Sequence, residues 1–276
     1  MSYVKPDQVV EAMIQAGTTK SQLTVAQMLL RGLLGGALLG CATTLAFTAT
    51  AQTGIGMAGA LLFPAGFVII VLLGLELVTG NFALIPLAVM ERKTTVSRML
   101  ASWAWVFVGH LIGSACYGLL YYAAVTQFGH VQEGGVIDLI RSAAEAKTVG
   151  YASLGWAGMG TVFIKAVLCN WMVCLGAVMA NVSQTTGGKI AAMWLPIVIF
   201  FGQGFEHAVV NLFVIPTGML MGAGVKLGDW WLWNQIPVTL GNIAGGFLFT
   251  GLALYLTQKK PVVPPVVELN SSHKAS

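Results

Sequence analysis

GFEHAVVNLF, residues 204–213, sets a glutamate and a histidine side by side inside an otherwise apolar run. Even the low insertion scales assign roughly 2.5–3.5 kcal/mol to a charged side chain at the centre of a membrane helix, so an ionisable residue at depth is a functional candidate. The rest of the chain places the run in a membrane: of 276 residues 57% are hydrophobic and only 9% charged, against roughly 25% charged in soluble domains. Apolar runs recur from about residue 25 to residue 257 without a polar linker, which describes one all-α membrane domain. The net charge of +4 comes from basic residues in short loops beside those runs, the pattern that encodes topology and not a nucleic-acid surface. Cys41, Cys116, Cys169 and Cys174 lack the spacing of a zinc site or a disulfide framework. The opening MSYVKPDQVVEAMIQAG has no basic segment followed by an apolar one, so no cleaved signal peptide is expected.

Pro6, Asp7, the apolar face Val9, Val10, Met13 and Ile14, and the stop at Gly17 predict a short amphipathic helix lying on the membrane surface. A spanning helix needs about 20 apolar residues, and six stretches qualify: 26–51, 59–90, 99–127, 155–181, 190–222 and 232–257. The second and fifth are too long for one straight crossing, and each holds a polar interruption near its middle, ELVTGN at 76–81 and GQGFEH at 202–207. Lys5, Lys20, Arg92, Lys93, Arg98, Lys189, Lys259, Lys260 and Lys274 fall on one side, and Arg141, Lys147 and Lys226 on the other. That bias puts both termini in the cytoplasm. The expected organisation is a cytoplasmic N-terminal helix over 1–25, a six-helix domain over 26–257 and a disordered cytoplasmic tail over 258–276, rich in Pro.

The interruptions fall in the second helix of each half of the chain, and these two helices would run in opposite directions. An inverted repeat predicts such a pair: discontinuous helices that meet near the bilayer midplane, with irregular backbone tolerated only where it lines a cavity. Gly80, Gly202 and Gly204 offer the backbone freedom. A half-helix N-terminus presents unpaired amides and positive partial charge, which suits a small anion. His207 is then a donor of a hydrogen bond or a proton to a passing solute, against the alternative of a core imidazole bonded to a carbonyl. Thr79, in the matching break, is either a second contact or a hydroxyl bonded back to its own helix. Glu76 and Glu206 would repel an anion and are read as acceptors for freed amide protons, with Gly80, Asn81, Gly204 and Asn211 as further structural residues of the breaks. Asn170 either orients His207 or joins two helices, and Lys165 either snorkels or makes a helix contact.

Four segments, GFEHAVVNLFVIP (204–216), ELVTGN (76–81), CNWMVCL (169–175) and IPVTLGNIAGG (236–246), resemble the formate/nitrite transporter family in the same order, and the likeness runs nearly the whole length. The resemblance implies an aquaporin-like bundle of six helices with broken helices 2 and 5, assembled as a homopentamer in the inner (plasma) membrane with a pore in each protomer. It implies that Thr79 and His207 contact the anion with Asn170 nearby. It further implies that Phe200 and Leu77 form an apolar constriction on one side of His207 and Phe63, Phe67 and Val173 another on the opposite side. Such rings strip a solute of water. Lys147 in AEAKT is the nearest match to the family's vestibule lysine, although YASLGWAGMG adds residues between it and CNWMVCL. Formate is the first expected substrate, with nitrite, hydrosulfide or another short carboxylate as alternatives, and a proton relayed by His207 as a way to neutralise it. No Asn-Pro-Ala pair marks a water channel. No cofactor is expected, and His110 and His207 alone inside spans, with no HExxH pattern, argue against a metal site or a membrane-embedded enzyme.

Overall fold

The computed structural model describes residues 3–259. Of the expected tail, Gln258 still belongs to the last helix and Lys259 pairs with Glu91; residues 260–276, with Lys260 and Lys274, lie outside the described residues. Helix α1 (Pro6–Ser21) leads into α2 (Val25–Thr53), which begins at a reciprocal capping box between Thr24 and Gln27 and ends at Gly54 in the left-handed conformation. There follow α3 (Gly56–Leu62), α4 (Pro64–Leu72), α5 (Val78–Met90), α6 (Val96–Val125), α7 (Gly135–Ala146), α8 (Val149–Ala152), α9 (Trp156–Met179), α10 (Thr186–Gly202), α11 (Ala208–Leu220) and α12 (Leu227–Gln258). Among the described residues there is no strand beyond a single bridge between Tyr3 and Ser183. Helices α2, α6, α9 and α12 are long and apolar enough to cross a bilayer, while α3–α4, α5, α10 and α11 are shorter apolar helices.

The shorter helices come in two pairs with matching joints. At the end of α4 the Leu75 amide bonds back to the Ile70 carbonyl and the Gly74 amide to Val71; at the end of α10 the Phe205 amide bonds to Phe200 and the Gly204 amide to Phe201. Both are helix stops of the Schellman type, with Gly74 and Gly204 each at φ +64°. The chain then runs extended through Leu77 and His207, the N-caps of α5 and α11. Two expectations change here. Gly80 sits inside α5 and Gly202 ends α10 without a left-handed backbone, so the turn-forming glycine of the first joint is Gly74. Residues 128–154, between the third and fourth expected spans, hold α7 and α8. Helix α7 buries Ile137, Ile140 and Ala144, which one helical face brings into line.

Close backbone approach sets the frame. A Cβ on Gly113 of α6 would fall 1.9 Å from the Leu33 carbonyl oxygen of α2, and one on Gly245 of α12 would fall 2.2 Å from that of Val167 in α9. Small residues of this kind let helices pack where the solvent is as apolar as the side chains. Helix α6, at 30 residues, is about 45 Å long by its rise per residue, and it fixes the direction of the short helices. The C-terminal end of α5 lies close in sequence to the start of α6, whereas Met221, just beyond α11, clusters with Tyr122 and Val125 at the end of α6. Helices α5 and α11 therefore point away from each other, with their N-termini toward the middle of the bundle.

Gly74→Ala and Gly204→Ala should each lower stability by about 1–2 kcal/mol, because the space around both is open and only the left-handed backbone is strained. Gly113→Ala should cost more than either, since its Cβ meets backbone. Melting temperatures in detergent rank the three, and an unperturbed Gly113→Ala would show that backbone contact does not hold α2 to α6.

Candidate functional site

Where α5 and α11 begin, most of the exposed amides find partners. In α5 the Val78 amide donates to His110 Nε2 at 3.0 Å, and those of Gly80 and Asn81 donate to the Leu77 carbonyl. In α11 the Ala208 amide donates to Asn242 Oδ1 at 2.9 Å, that of Val210 to His207 Nδ1 at 3.2 Å, and that of Asn211 to the His207 carbonyl. A backbone amide can only donate, so Nδ1 of His207 offers its lone pair and the neutral ring carries its proton on Nε2. That nitrogen lies 3.1 Å from Thr79 Oγ1. Both side chains are buried. The Thr79 backbone is held in turn, its carbonyl accepting from Asn170 Nδ2 at 3.0 Å and Cys174 Sγ at 3.1 Å. Asn170 also donates to the Asn242 carbonyl at 2.6 Å. It thus joins helices through Thr79 and makes no bond to the His207 ring.

Each break is anchored by a buried carboxylate. Glu76 accepts from Lys20 Nζ of α1 at 2.8 Å and from Asn81 Nδ2 at 2.7 Å. Glu206 accepts from Lys147 Nζ at 2.9 Å, Tyr151 OH at 2.8 Å, Asn211 Nδ2 at 2.8 Å and Asn234 Nδ2 at 3.3 Å. The carboxylates receive side-chain donors and not the freed helix amides expected of them, because those amides are taken by His110, Asn242, His207 and Leu77. The sequences explain the likeness: ELVTGNFALIP (76–86) and EHAVVNLFVIP (206–216) share Glu, Asn, Ile and Pro at the same offsets. Lys147 is ion-paired to the scaffold, not a free basic group in solvent.

Apolar residues surround the pair. The Phe200 ring stacks on the His207 ring at 5.6 Å between centroids, and Phe63 meets Phe200 edge-on at 5.6 Å. Phe67 and Leu77 line one cavity of about 190 Å³ together with Lys20, Gly80 and Asn81. Val173 is buried in the same apolar cluster as these four residues. The expected grouping therefore changes: Phe63 belongs with Phe200, and Phe67 shares a wall with Leu77. Phe63 and Phe67 are one turn apart, about 6 Å along a helix axis, which separates their surroundings.

A family model described as formate/nitrite transporter matches residues 7–256. The chain belongs to the formate/nitrite transporter family. The formate channel BtFdhC of Bacillus thuringiensis is 31% identical over 94% of this chain and 98% of its own length. The nitrite transporter NirC of Salmonella typhimurium is 29% identical over 78% of this chain and 76% of its own. Among solved structures, an FNT family ion channel superposes with a TM-score of 0.78 at 22% identity, covering 92% of this chain and 99% of that one. A pentameric formate channel with formate bound superposes at 0.67 and 24% identity, covering 84% and 96%. Members of the formate/nitrite transporter family are channels and transporters, and this membrane protein is one of them and not an enzyme.

Within this family member the sequence brought Thr79, His207, Glu76 and Glu206 forward but passed over Lys20, His110, Tyr151, Asn234 and Asn242, all of which bond to the breaks. The signal for two of them was present: GHLIG (109–113) in α6 and GNIAG (241–245) in α12 share two glycines four apart with His110 and Asn242 at the same place after the first. Asn234 was hidden because a π-helical turn, Trp231–Gln235, disturbs the helical period of α12. Both Glu76→Gln and Glu206→Gln break a lysine pair at a buried carboxylate, a change of about 3–5 kcal/mol at full burial, and Glu206→Gln should destabilise the protein more because it disturbs four donors instead of two. The order of the two melting temperatures checks this.

Proposed function

We propose that this chain conducts small monovalent anions, formate first among them, through a pore in each protomer of a homopentamer. One observation carries the reading: Thr79 Oγ1 and His207 Nε2 meet at 3.1 Å between the N-termini of two opposed half-helices. In this reading α3–α4 with α5 make the second crossing and α10 with α11 the fifth, so that six crossings form an aquaporin-like inverted repeat. The excess of Lys and Arg on one side supports cytoplasmic termini in a plasma membrane. Four apolar residues, Phe63, Phe67, Leu77 and Phe200, with Val173, form the constrictions.

The chemistry follows from the donors. The Thr79 and Val209 amides have no hydrogen-bond partner among the described residues, and the Thr79 hydroxyl, which accepts from His207 Nε2, keeps its own proton; these are the donors this reading offers an anion, with His207 Nε2–H joining them when the anion displaces the hydroxyl. Such a set replaces the water that an anion loses at an apolar ring. His207 acts here as a neutral donor while the Val210 amide occupies Nδ1. Relay adds a second step: Nδ1 gives up that amide and takes a proton from hydronium in the solvent, Nε2 passes its own to the carboxylate, and neutral formic acid crosses the ring. The remaining Nδ1 tautomer resets by exchange with water.

Formate uptake by proteoliposomes should rise as pH falls from neutral to mildly acidic. His207→Ala should abolish that rise; a pH response identical to wild type would exclude the relay. His207→Asn keeps an oxygen for the Val210 amide and a donor for the anion, so it should retain anion current while losing the pH-dependent part. Nitrite is the second reading, favoured by the resemblance to the nitrite transporter NirC. Electrical recording with each anion in turn ranks them, and absence of current and uptake for both would end the proposal.

A further inference from the structure

His110 lies at the middle of α6, fully buried, and belongs to none of the groups that would touch an anion. Its two ring nitrogens have fixed roles. Nδ1 donates to the Gly32 carbonyl of α2 at 2.7 Å, and Nε2 accepts the amide of Val78, the first residue of α5, at 3.0 Å. The carbonyl can only accept and the amide can only donate, so the tautomer is set from both sides. Glycines make room for it: a Cβ on Gly35 would come 3.1 Å from His110 Cε1, and one on Gly36 would come 2.5 Å from the His110 backbone carbonyl oxygen.

Asn242 does the same work in the other half. Its Oδ1 accepts the amide of Ala208, the first residue of α11, and its Nδ2 donates to the Ala166 carbonyl of α9 at 2.8 Å. The correspondence extends to the packing partners, since α6 lies on α2 through Gly109 and Gly113, and α12 lies on α9 through Gly241 and Gly245. In both halves a side chain on the long helix after the break bridges the leading amide of a half-helix to a carbonyl of the long helix before it. His110 is the imidazole member of this pair.

We infer that His110 is a positioning residue for anion passage: through the acceptor on Nε2 it holds α5 in the register that sets Thr79 opposite His207, and an amide side chain can replace it. Val78 directly precedes Thr79, so an unbonded Val78 amide removes the tie to α6 and leaves the hydroxyl-bearing turn held by its carbonyl bonds to α9 and by the His207 contact. The inference rests on the proposed place of Thr79 in the pore. Misplacement of a binding group by about 1 Å costs as much as 100-fold in rate, so loss of the cap should be visible in transport.

The test compares His110→Asn, His110→Leu and Thr79→Val in the full-length protein, by formate uptake in proteoliposomes and by hydrogen exchange of residues 75–82 and 205–212. His110→Asn should keep uptake within about twofold of wild type and leave exchange unchanged, as Asn242 suggests. His110→Leu should lower the maximal rate on the order of tenfold and speed exchange in 75–82 only. Wild-type uptake by His110→Leu, or a folded His110→Asn as impaired as His110→Leu, overturns the inference. If the leucine variant fails to fold, the asparagine variant decides alone. Wild-type uptake by Thr79→Val removes the pore reading itself, and with it any transport role for His110, even where exchange still reports the cap.

Discussion

A backbone amide that leaves a helix inside an apolar medium has no water to bond, and each one left unpaired costs several kcal/mol. This constraint governs the whole arrangement. The chain is non-helical at 73–77 and again at 203–207, and in both places the leading amide of the next helix is met by a side chain from a distant element. Val78 is served by His110 and Ala208 by Asn242. Because those partners also bond to the helix packed beside them, the breaks cannot shift without disturbing α2 and α6 or α9 and α12. Irregular backbone is thereby made as rigid as the helices around it.

The carboxylates extend the same logic outward. A buried charge survives when it is paired and fully bonded, and each glutamate draws its cation from beyond the bundle's long helices: Lys20 from the end of α1, Lys147 from the end of α7. Helix α1 and the short helix α7 are thus tied to the breaks. Both lysines are occupied as partners of carboxylates, so their positive charge is largely compensated where it stands. Any attraction of an anion toward the centre then rests on oriented dipoles, which keep their direction without a counter-ion.

What the sequence disclosed and what it withheld follow from distance along the chain. The two polar interruptions announce themselves within a few residues, because acids and an imidazole contrast with their apolar neighbours. Caps lie elsewhere: His110 stands 32 positions from Val78, and Asn242 stands 34 from Ala208. Reading ahead from a break does not reach them, whereas comparing the halves of the chain does, through GHLIG and GNIAG. Gly80 drew notice for standing beside Thr79, yet the turn needs its left-handed residue directly after the preceding helix, at Gly74. The grouping of the residues proposed for the constrictions was harder still. Phe63 and Phe67 are near in sequence but a full turn apart in space, and only coordinates reveal that Phe63 meets Phe200 while Phe67 faces the cavity with Leu77.

The repeat also separates the scaffold of the breaks from the residues proposed for the chemistry. Glu76 and Glu206, Asn81 and Asn211, and Pro86 and Pro216 match between the halves, and all belong to the machinery of the breaks or to the helices that follow. The positions facing each other at the centre do not match. One residue after each glutamate the halves carry Leu77 and His207; three residues after, they carry Thr79 and Val209. Because His207 at the first offset meets Thr79 at the third, a strictly symmetric sequence would give two imidazole–hydroxyl pairs, one across each diagonal of the centre. Divergence at these two positions gives one hydroxyl and one imidazole instead, and the Val210 amide on Nδ1 directs the imidazole's proton toward the hydroxyl. The hydroxyl, having accepted that bond, keeps its own proton free to donate. Two half-helices of like build thus yield one oriented imidazole–hydroxyl pair, because the residues that make the break are duplicated and the residues proposed to use it are not.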